Sequence, residues 1–262
     1  RKAGIPTRIV HAHSNNTEFN LKKIFRDYYI HRMKPISSHL FACGEEAARA
    51  LYGKDAEKAI VIRNAIDSGK YVYNETIRRE VRSEFHIGES EIVIGNIGSL
   101  IPVKNQKFLI SALETIKYAD VRLMIVGRGS LEQELHDQAK TAGVLDKLIL
   151  TGSRNDIPRI VQAMDVYTMP SLAEGVSVAC IEAQASGLPC LMSDTIPEEC
   201  KATDHVYFMQ LSQGARAWGQ RLLELSKLER RNVQNQIVSS GYDIMENAAW
   251  LQDFYLRAYE RS

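Results

Sequence analysis

From residue 92 to residue 192, short apolar runs alternate with amphipathic stretches. The runs 92–98, 122–127, 148–151, 166–169 and 189–192 read as strands. Between them 104–117, 131–142 and 157–164 read as helices, with Leu131, Leu135 and Ala139 on one stripe and Gly143 behind it. A further short helix follows Ser177, and 214–227 adds another. Strands separated by helices of this length imply right-handed crossovers and a parallel sheet, so the fold class is α/β.

The flanks follow a looser pattern. A strand over 7–14 carries His11 and His13, which the two-residue period puts on one face. After N-N-T-E comes a basic amphipathic segment, with Phe19, Ile24, Tyr28 and Tyr29 set among Lys22, Lys23, Arg26, Arg32 and Lys34. It suits an ordinary surface helix, or one resting on an anionic membrane surface or a lipid-linked molecule. Strands at 39–42 and 59–62 enclose a helix at 45–52. The polar stretch 68–91, with a helix around 75–85, reads as a connection between domains. The final amphipathic helix, 243–259, carries Trp250, Leu251, Phe254 and Tyr255. The expected division is therefore 1–67, 68–91, 92–242 and 243–262, and the chain reads as if it begins in the middle of its first domain.

Composition narrows the function classes. The net charge of +1 gives no general reason to bind nucleic acid. No apolar run approaches the roughly 20 residues of a membrane span. The four cysteines (Cys43, Cys180, Cys190 and Cys200) form no C-x-x-C pair, and three sit among apolar or small neighbours, as buried thiols of a reducing compartment do. A cytoplasmic protein is expected.

The candidate chemistry gathers in 170–193. Glu174 and Glu182 stand with seven residues between them, the first in a loop after a strand and the second inside a short helix. Ser177 suits the N-cap of that helix and Gly187 the left-handed position behind it. Loops after parallel strands are where α/β sheets hold ligands. A carboxylate can accept both protons of a vicinal diol, so this pair suits a sugar or a ribose. Free amides of Gly175, Val176 and Ser177 at a helix start suit an anion such as a diphosphate. The plain alternative is a solvated loop acid and an ordinary helix acid.

The wording E-G-V-S-V-A-C-I-E-A-Q-A-S-G-L-P (174–189) resembles, almost letter for letter, the E-x7-E signature of retaining glycosyltransferases of the GT-B fold, family 4. The resemblance runs from Gly4 onward, and S-D-T-I-P-E-E-C (193–200) is similar to the bacterial capsular and exopolysaccharide branch. It implies a Rossmann-like parallel-sheet C-terminal donor domain and a partial N-terminal α/β domain lacking its start. In that family the first Glu contacts the transferred sugar and the second holds the nucleotide ribose. Here those are Glu174 and Glu182, with Gly175, Val176 and Ser177 facing sugar and phosphate.

Further residues follow by the same resemblance. The family's G-R-L-x-P-x-K-N appears as G-S-L-I-P-V-K-N (98–105), which keeps Gly98 and Lys104 but has Ser99 where a phosphate-binding arginine is expected. Serine gives one neutral hydrogen bond where arginine gives a charged bidentate one, unless Arg128 or Arg154 supplies the charge. Gly127 and Gly129 are either backbone neighbours of the nucleotide or a plain tight turn. Arg154, Asn155 and Ile157 lie where the family holds the base, although Asp156 as an N-cap explains G-S-R-N-D-I (152–157) as well. His13 aligns with a histidine that faces the donor sugar, with His11 the one-step-back alternative.

The resemblance implies transfer from a nucleotide-diphosphate sugar, a UDP-sugar, to a saccharide or lipid-linked acceptor by front-face substitution. Lys104 would stabilise the leaving group. It implies no cofactor and no metal, and no Asp-x-Asp occurs in the chain. The alternatives are a sugar-nucleotide epimerase of the same fold and a non-catalytic nucleotide-sugar-binding subunit.

Overall fold

The structure is a computed structural model that describes residues 4–13 and 21–260. Two compact units divide the chain, 1–66 with 241–262 and 67–240. The first unit opens with β1 (Ile9–Ala12), α1 (Leu21–Met33), β2 (His39–Ala42), α2 (Glu45–Tyr52) and β3 (Ile60–Val61). The strands form a parallel sheet in the order β1-β2-β3. Tyr52 is buried beneath it, its hydroxyl donating to the carbonyls of Val10 at 2.8 Å and Phe41 at 2.6 Å. The expected strand 7–14 is thus shorter, and Ser14, the N-N-T-E segment and Phe19 fall outside the described residues.

The second unit comprises α3 (Glu75–Glu84), β4 (Ile92–Ile97), α4 (Gln106–Thr115), β5 (Val121–Val126), α5 (Glu132–Ala142), β6 (Leu148–Leu150) and α6 (Ile157–Ile160). It continues through β7 (Val166–Met169), α7 (Val178–Ala185), β8 (Cys190–Ser193), β9 (Val206–Met209), α8 (Gly214–Leu225) and α9 (Gln234–Ser239). The six strands are all parallel, in the order β6-β5-β4-β7-β8-β9. This is the doubly wound order, in which the chain starts at β4, moves out to β6, then returns to the other side of β4 at β7. The crevice between the loops that follow β4 and β7 is the topological switch point, where such sheets hold ligands. One face of the sheet packs on α4, α5 and α8 around the fully buried Trp218, whose indole N–H donates to the carbonyl of Gln210 at 3.1 Å.

Residues 68–91, expected to connect domains, belong to the second unit instead. The reason is specific. Val81 of α3 is fully buried, and Arg78 and Arg82 both reach Asp165 beside β7, at 2.6 and 3.4 Å. The second unit also ends at Ser240 rather than 242, so the residues before the final helix lie with the first unit. There the chain returns through Ile66 and Asp243, which form a parallel bridge, and Asp243 caps α10 (Ile244–Glu260) by accepting from the amide of Met245 at 2.9 Å. Phe254 of α10 meets Phe41 of β2 edge-on, with ring centroids 5.2 Å apart.

Helix boundaries shift for local reasons. The helix expected from residue 104 starts at Gln106, because Asn105 takes a left-handed conformation (φ 56°) that breaks the turn Pro102–Lys104 from α4. The helix expected over 157–164 is α for one turn and then tightens to a 3-10 turn over Val161–Ala163. β9 and α9 had no counterpart in the sequence reading.

His205, just before β9, is 1% exposed, and neither ring nitrogen has a hydrogen-bond partner among the described residues. Burial, and then the charge of Arg231, lower its pKa from 6.5. A base with a depressed native pKa is protonated first in the unfolded chain. Its contribution is therefore present above pH 6.5 and is lost as the pH falls from there towards the native value. His205→Gln should lose less thermal stability than the wild type between about pH 7 and pH 5, the window around the ordinary histidine value. Equal losses in paired melting curves would refute this.

Candidate functional site

The loops that follow β4 and β7 are stitched together across the switch point. Asn105 donates from its side-chain amide to the carbonyl of Pro170 at 3.1 Å, and the amide of Leu172 donates to the carbonyl of Val103 at 2.8 Å. Over this backbone frame, the ammonium of Lys104 pairs with Oε1 of Glu174. The hydroxyl of Ser171 donates to the same oxygen at 2.8 Å. Ser171 is itself held by its carbonyl, which accepts from Ser193 at 2.6 Å and Thr195 at 2.7 Å. Lys104 and Glu174 stand 21% and 12% exposed, open enough to meet a ligand and shielded enough to strengthen the attraction. Oε2 of Glu174 has no partner among the described residues.

Glu182 lies on the second turn of α7, where Tyr71 donates its hydroxyl to Oε1. Ser177 occupies the N-cap position but makes no side-chain capping bond. Gly187 has the expected left-handed conformation, φ 77°, and a Cβ there would stand 2.3 Å from the carbonyl of Arg231. The amides of Gly175 and Val176 have no acceptor among the described residues. The Ser177 amide instead faces the sulfur of Cys200, whose thiol lies 3.6 Å from the carbonyl of Gly175. A hydrogen bond from Cys180 and then this amide hold the Cys200 thiol below its ordinary value, while burial pushes Cys180 up.

The neighbouring loops explain the glycines. A Cβ on Gly127 (φ 146°) would lie 2.0 Å from the carbonyl of Gly98, and one on Gly129 would lie 2.3 Å from that of Leu100. Both positions let the loop after β5 pack backbone to backbone on the loop after β4, where Gly98 donates to Val126 at 2.9 Å and Leu100 to Arg128 at 3.0 Å. The amides of Ser99, Arg128, Gly129 and Ser130 are left without acceptors among the described residues. Loops with several free amides suit an anion.

The two arginines weighed against the missing charge at Ser99 differ. Arg154 grips Asp156 through two bonds of 2.8 and 2.7 Å, pairs with Glu84 at 3.0 Å and lies over the ring of Phe85. The same hydrogen-bonded pairing holds the Asp156 carboxyl below its ordinary value. Arg128 is exposed at the end of β5 beside Gly152 and has no carboxylate partner among the described residues. It is the available cation of the two. Asn155 is exposed and Ile157 half-buried at the start of α6. His13, in the first unit, is exposed just beyond β1, its ring 4.0 Å from that of the half-buried His11. Among the described residues no group of three or more His, Cys, Asp or Glu side chains is placed to hold a metal ion.

Sequence reasoning missed Tyr71, Ser171 and Asn105. Asn105 ends the motif 98–105, and Ser171 lies within 170–193 just before Glu174. Nothing in the sequence pointed to Tyr71, which lies 111 positions from the carboxylate it touches.

Known proteins give an independent view. The family model described as "Glycosyl transferases group 1" matches residues 77–218. The putative glycosyltransferase EpsF of Bacillus subtilis (strain 168) is 30% identical over 267 residues, covering 97% of this chain and 70% of its own. The UDP-Gal:alpha-D-GlcNAc-diphosphoundecaprenol alpha-1,3-galactosyltransferase of Escherichia coli is 30% identical over 218 residues, covering 77% of this chain and 55% of its own. Among solved structures, Anabaena HepE in complex with UDP superposes with a TM-score of 0.80 at 19% identity, over 95% of this chain and 72% of that one. At that identity the likeness shows the fold, which is the two-domain α/β GT-B architecture. Its sheet order, its switch-point loops and these relatives agree, and the chain belongs to the group 1 glycosyl transferase family.

Proposed function

We propose that the chain carries the donor site of a retaining glycosyltransferase that takes sugar from a nucleotide-diphosphate sugar, a UDP-sugar, and passes it to a saccharide or lipid-linked acceptor in surface-polysaccharide synthesis. The observation that carries this reading is the Lys104–Glu174 pair across the switch point, with Arg128, which has no carboxylate partner among the described residues, on the adjoining loop. A dianionic diphosphate needs cations and free amides, and the loops after β4, β5 and β7 supply both kinds of group.

In this reading the free oxygen of Glu174 takes sugar hydroxyls and that of Glu182 takes the ribose. Lys104, Arg128 and the amides of Gly175 and Val176 face the phosphates, while Asn155 and Ile157 lie near the base. The C1–O bond to the diphosphate breaks with its electron pair going to the phosphate oxygen. The acceptor oxygen bonds C1 from the same face, and its proton passes to the departing phosphate. Lys104 and Arg128 stabilise the charge that grows there, and the reading carries no cofactor and no metal. The protein works in the cytoplasm at the inner face of the membrane. α1 exposes Phe25, Tyr28 and Tyr29, and no described helix is long and apolar enough to cross a membrane. The E. coli relative's name, with its UDP-sugar and diphosphoundecaprenol-linked substrate, supports the same choice.

Titration calorimetry with UDP, beside Glu182→Ala, tests the reading. The mutant should bind about tenfold more weakly, the value of one charged hydrogen bond. Unchanged affinity would remove Glu182 from the ribose contact, and a wild type that binds no UDP would overturn the donor site.

A further inference from the structure

The Glu182 carboxylate has a single hydrogen-bond partner among the described residues, and it comes from far away in the chain. The hydroxyl of Tyr71 donates to Oε1, while Oε2 carries no partner among the described residues. Tyr71 closes the turn Ser68–Tyr71 and is 6% exposed, so its ring cannot swing away. The turn is pinned in its own right. The fully buried side chain of Gln162 donates to the carbonyls of Tyr71 at 3.4 Å and Pro158 at 3.0 Å, and accepts from the amide of Asn74 at 3.1 Å.

We propose that Tyr71 is the positioning residue through which Glu182 reads the ribose hydroxyls, holding one carboxylate oxygen so that the other faces the ligand in one orientation. This inference rests on the nucleotide reading above and deepens it. The chemistry is directional. A phenol hydroxyl donates to an ionised carboxylate, which leaves the second oxygen an acceptor only, suited to the protons of a vicinal diol. Burial, and then the bond to Glu182, push the Tyr71 phenol well above its ordinary value, so it stays a donor throughout the physiological range. Without that bond the carboxylate can rotate and bond to water, and its preference for two adjacent hydroxyls falls.

The preference for ribose over deoxyribose separates this role from a structural one. Calorimetry of wild type and Tyr71→Phe with UDP and with 2′-deoxy-UDP gives an affinity ratio for each protein. The phenylalanine keeps the buried ring and removes only the donor. The wild type should prefer UDP, and in Tyr71→Phe the ratio should fall about tenfold, through weaker UDP binding with deoxy-UDP nearly unchanged. Loss of affinity for both ligands at a constant ratio would make Tyr71 a packing residue and overturn the inference, as would unchanged binding of both. Either result would leave the nucleotide site standing. Failure of the wild type to bind UDP would overturn the nucleotide reading and this inference with it. Should Tyr71→Phe fold poorly, Glu182→Gln, which removes the charge that Tyr71 serves, should lower the same ratio; an unchanged ratio there would refute the proposal equally.

Discussion

Arg230→Met is expected to cost the second unit about 3 kcal/mol of stability, from the loss of several charge-assisted hydrogen bonds at one helix end. The guanidinium donates to the carbonyls of Val161 (2.8 Å), Gln162 (2.9 Å), Met164 (2.6 Å) and Ser186 (3.1 Å), and lies over the ring of Tyr73. The last carbonyls of a helix have no partner within the helix. Here they are met by arginines, for Arg78 donates to Gln162, Ala163 and Met164 at 3.1, 3.2 and 3.0 Å, and Arg82 donates to Ala163 at 3.1 Å. Three guanidinium groups therefore share one helix end, where Asp165 pairs with Arg78 and Arg82. Burial, and then repulsion from Arg78, bring Arg230 down to about 10, which still leaves it charged at neutral pH. Arg230→Lys should recover little, because an ammonium lacks the planar fork that reaches several carbonyls at once. Denaturant unfolding of the three proteins measures this, and a loss below about 1 kcal/mol in Arg230→Met would place the burden on Arg78 and Arg82 instead.

The second large effect is at Lys104. In the proposed reaction, Lys104→Ala should lower the turnover of sugar transfer roughly a hundred- to a thousandfold, the scale set by removing one donor from developing charge. The ammonium stands beside Glu174, yet its three protons allow it to keep that bond and still donate to a phosphate oxygen. Loss of turnover should exceed loss of donor affinity, since the charge on the leaving group is largest in the transition state. A drop below about threefold in turnover would remove Lys104 from the chemistry, well short of what such a donor contributes. Among the described residues the change also leaves the Glu174 carboxylate with Ser171 as its remaining partner, so melting curves should accompany the kinetics.

Much of the fold was legible because it is written locally. The runs at 92–98, 122–127 and 166–169 became β4, β5 and β7, and the parallel sheet followed from their spacing. β9 was missed because V-Y-F-M is four residues long and pairs only with β8 at the sheet edge. The polar Q-N-Q-I-V-S of α9 has a single buried residue, Ile237, too little for a period. The assignment of 68–91 to a connection followed its charge, yet two of those charges are the half-buried Arg78 and the buried Arg82, which bind the end of the helix before β7. At the candidate site, spacing within one motif singled out Glu174 and Glu182. The motif at 98–105 named Lys104, but not its pairing with a carboxylate 70 positions on, which sheet order sets, and no linear pattern pointed to Tyr71, 111 positions from Glu182.

The return of the chain to its first unit has a consequence for how the protein is made. Ile66 accepts from the amide of Ile244 and donates to the carbonyl of Tyr242, both at 2.9 Å, so the first unit is closed by a contact between residues on either side of the whole second unit. On the ribosome the second unit, being continuous from 67 to 240, has emerged in full before that contact can form. The closing ends then find each other across a folded body whose own ends are fixed, rather than across a random chain of that length. Much of the entropy of bringing them together has by then been spent on a domain that folds for its own reasons.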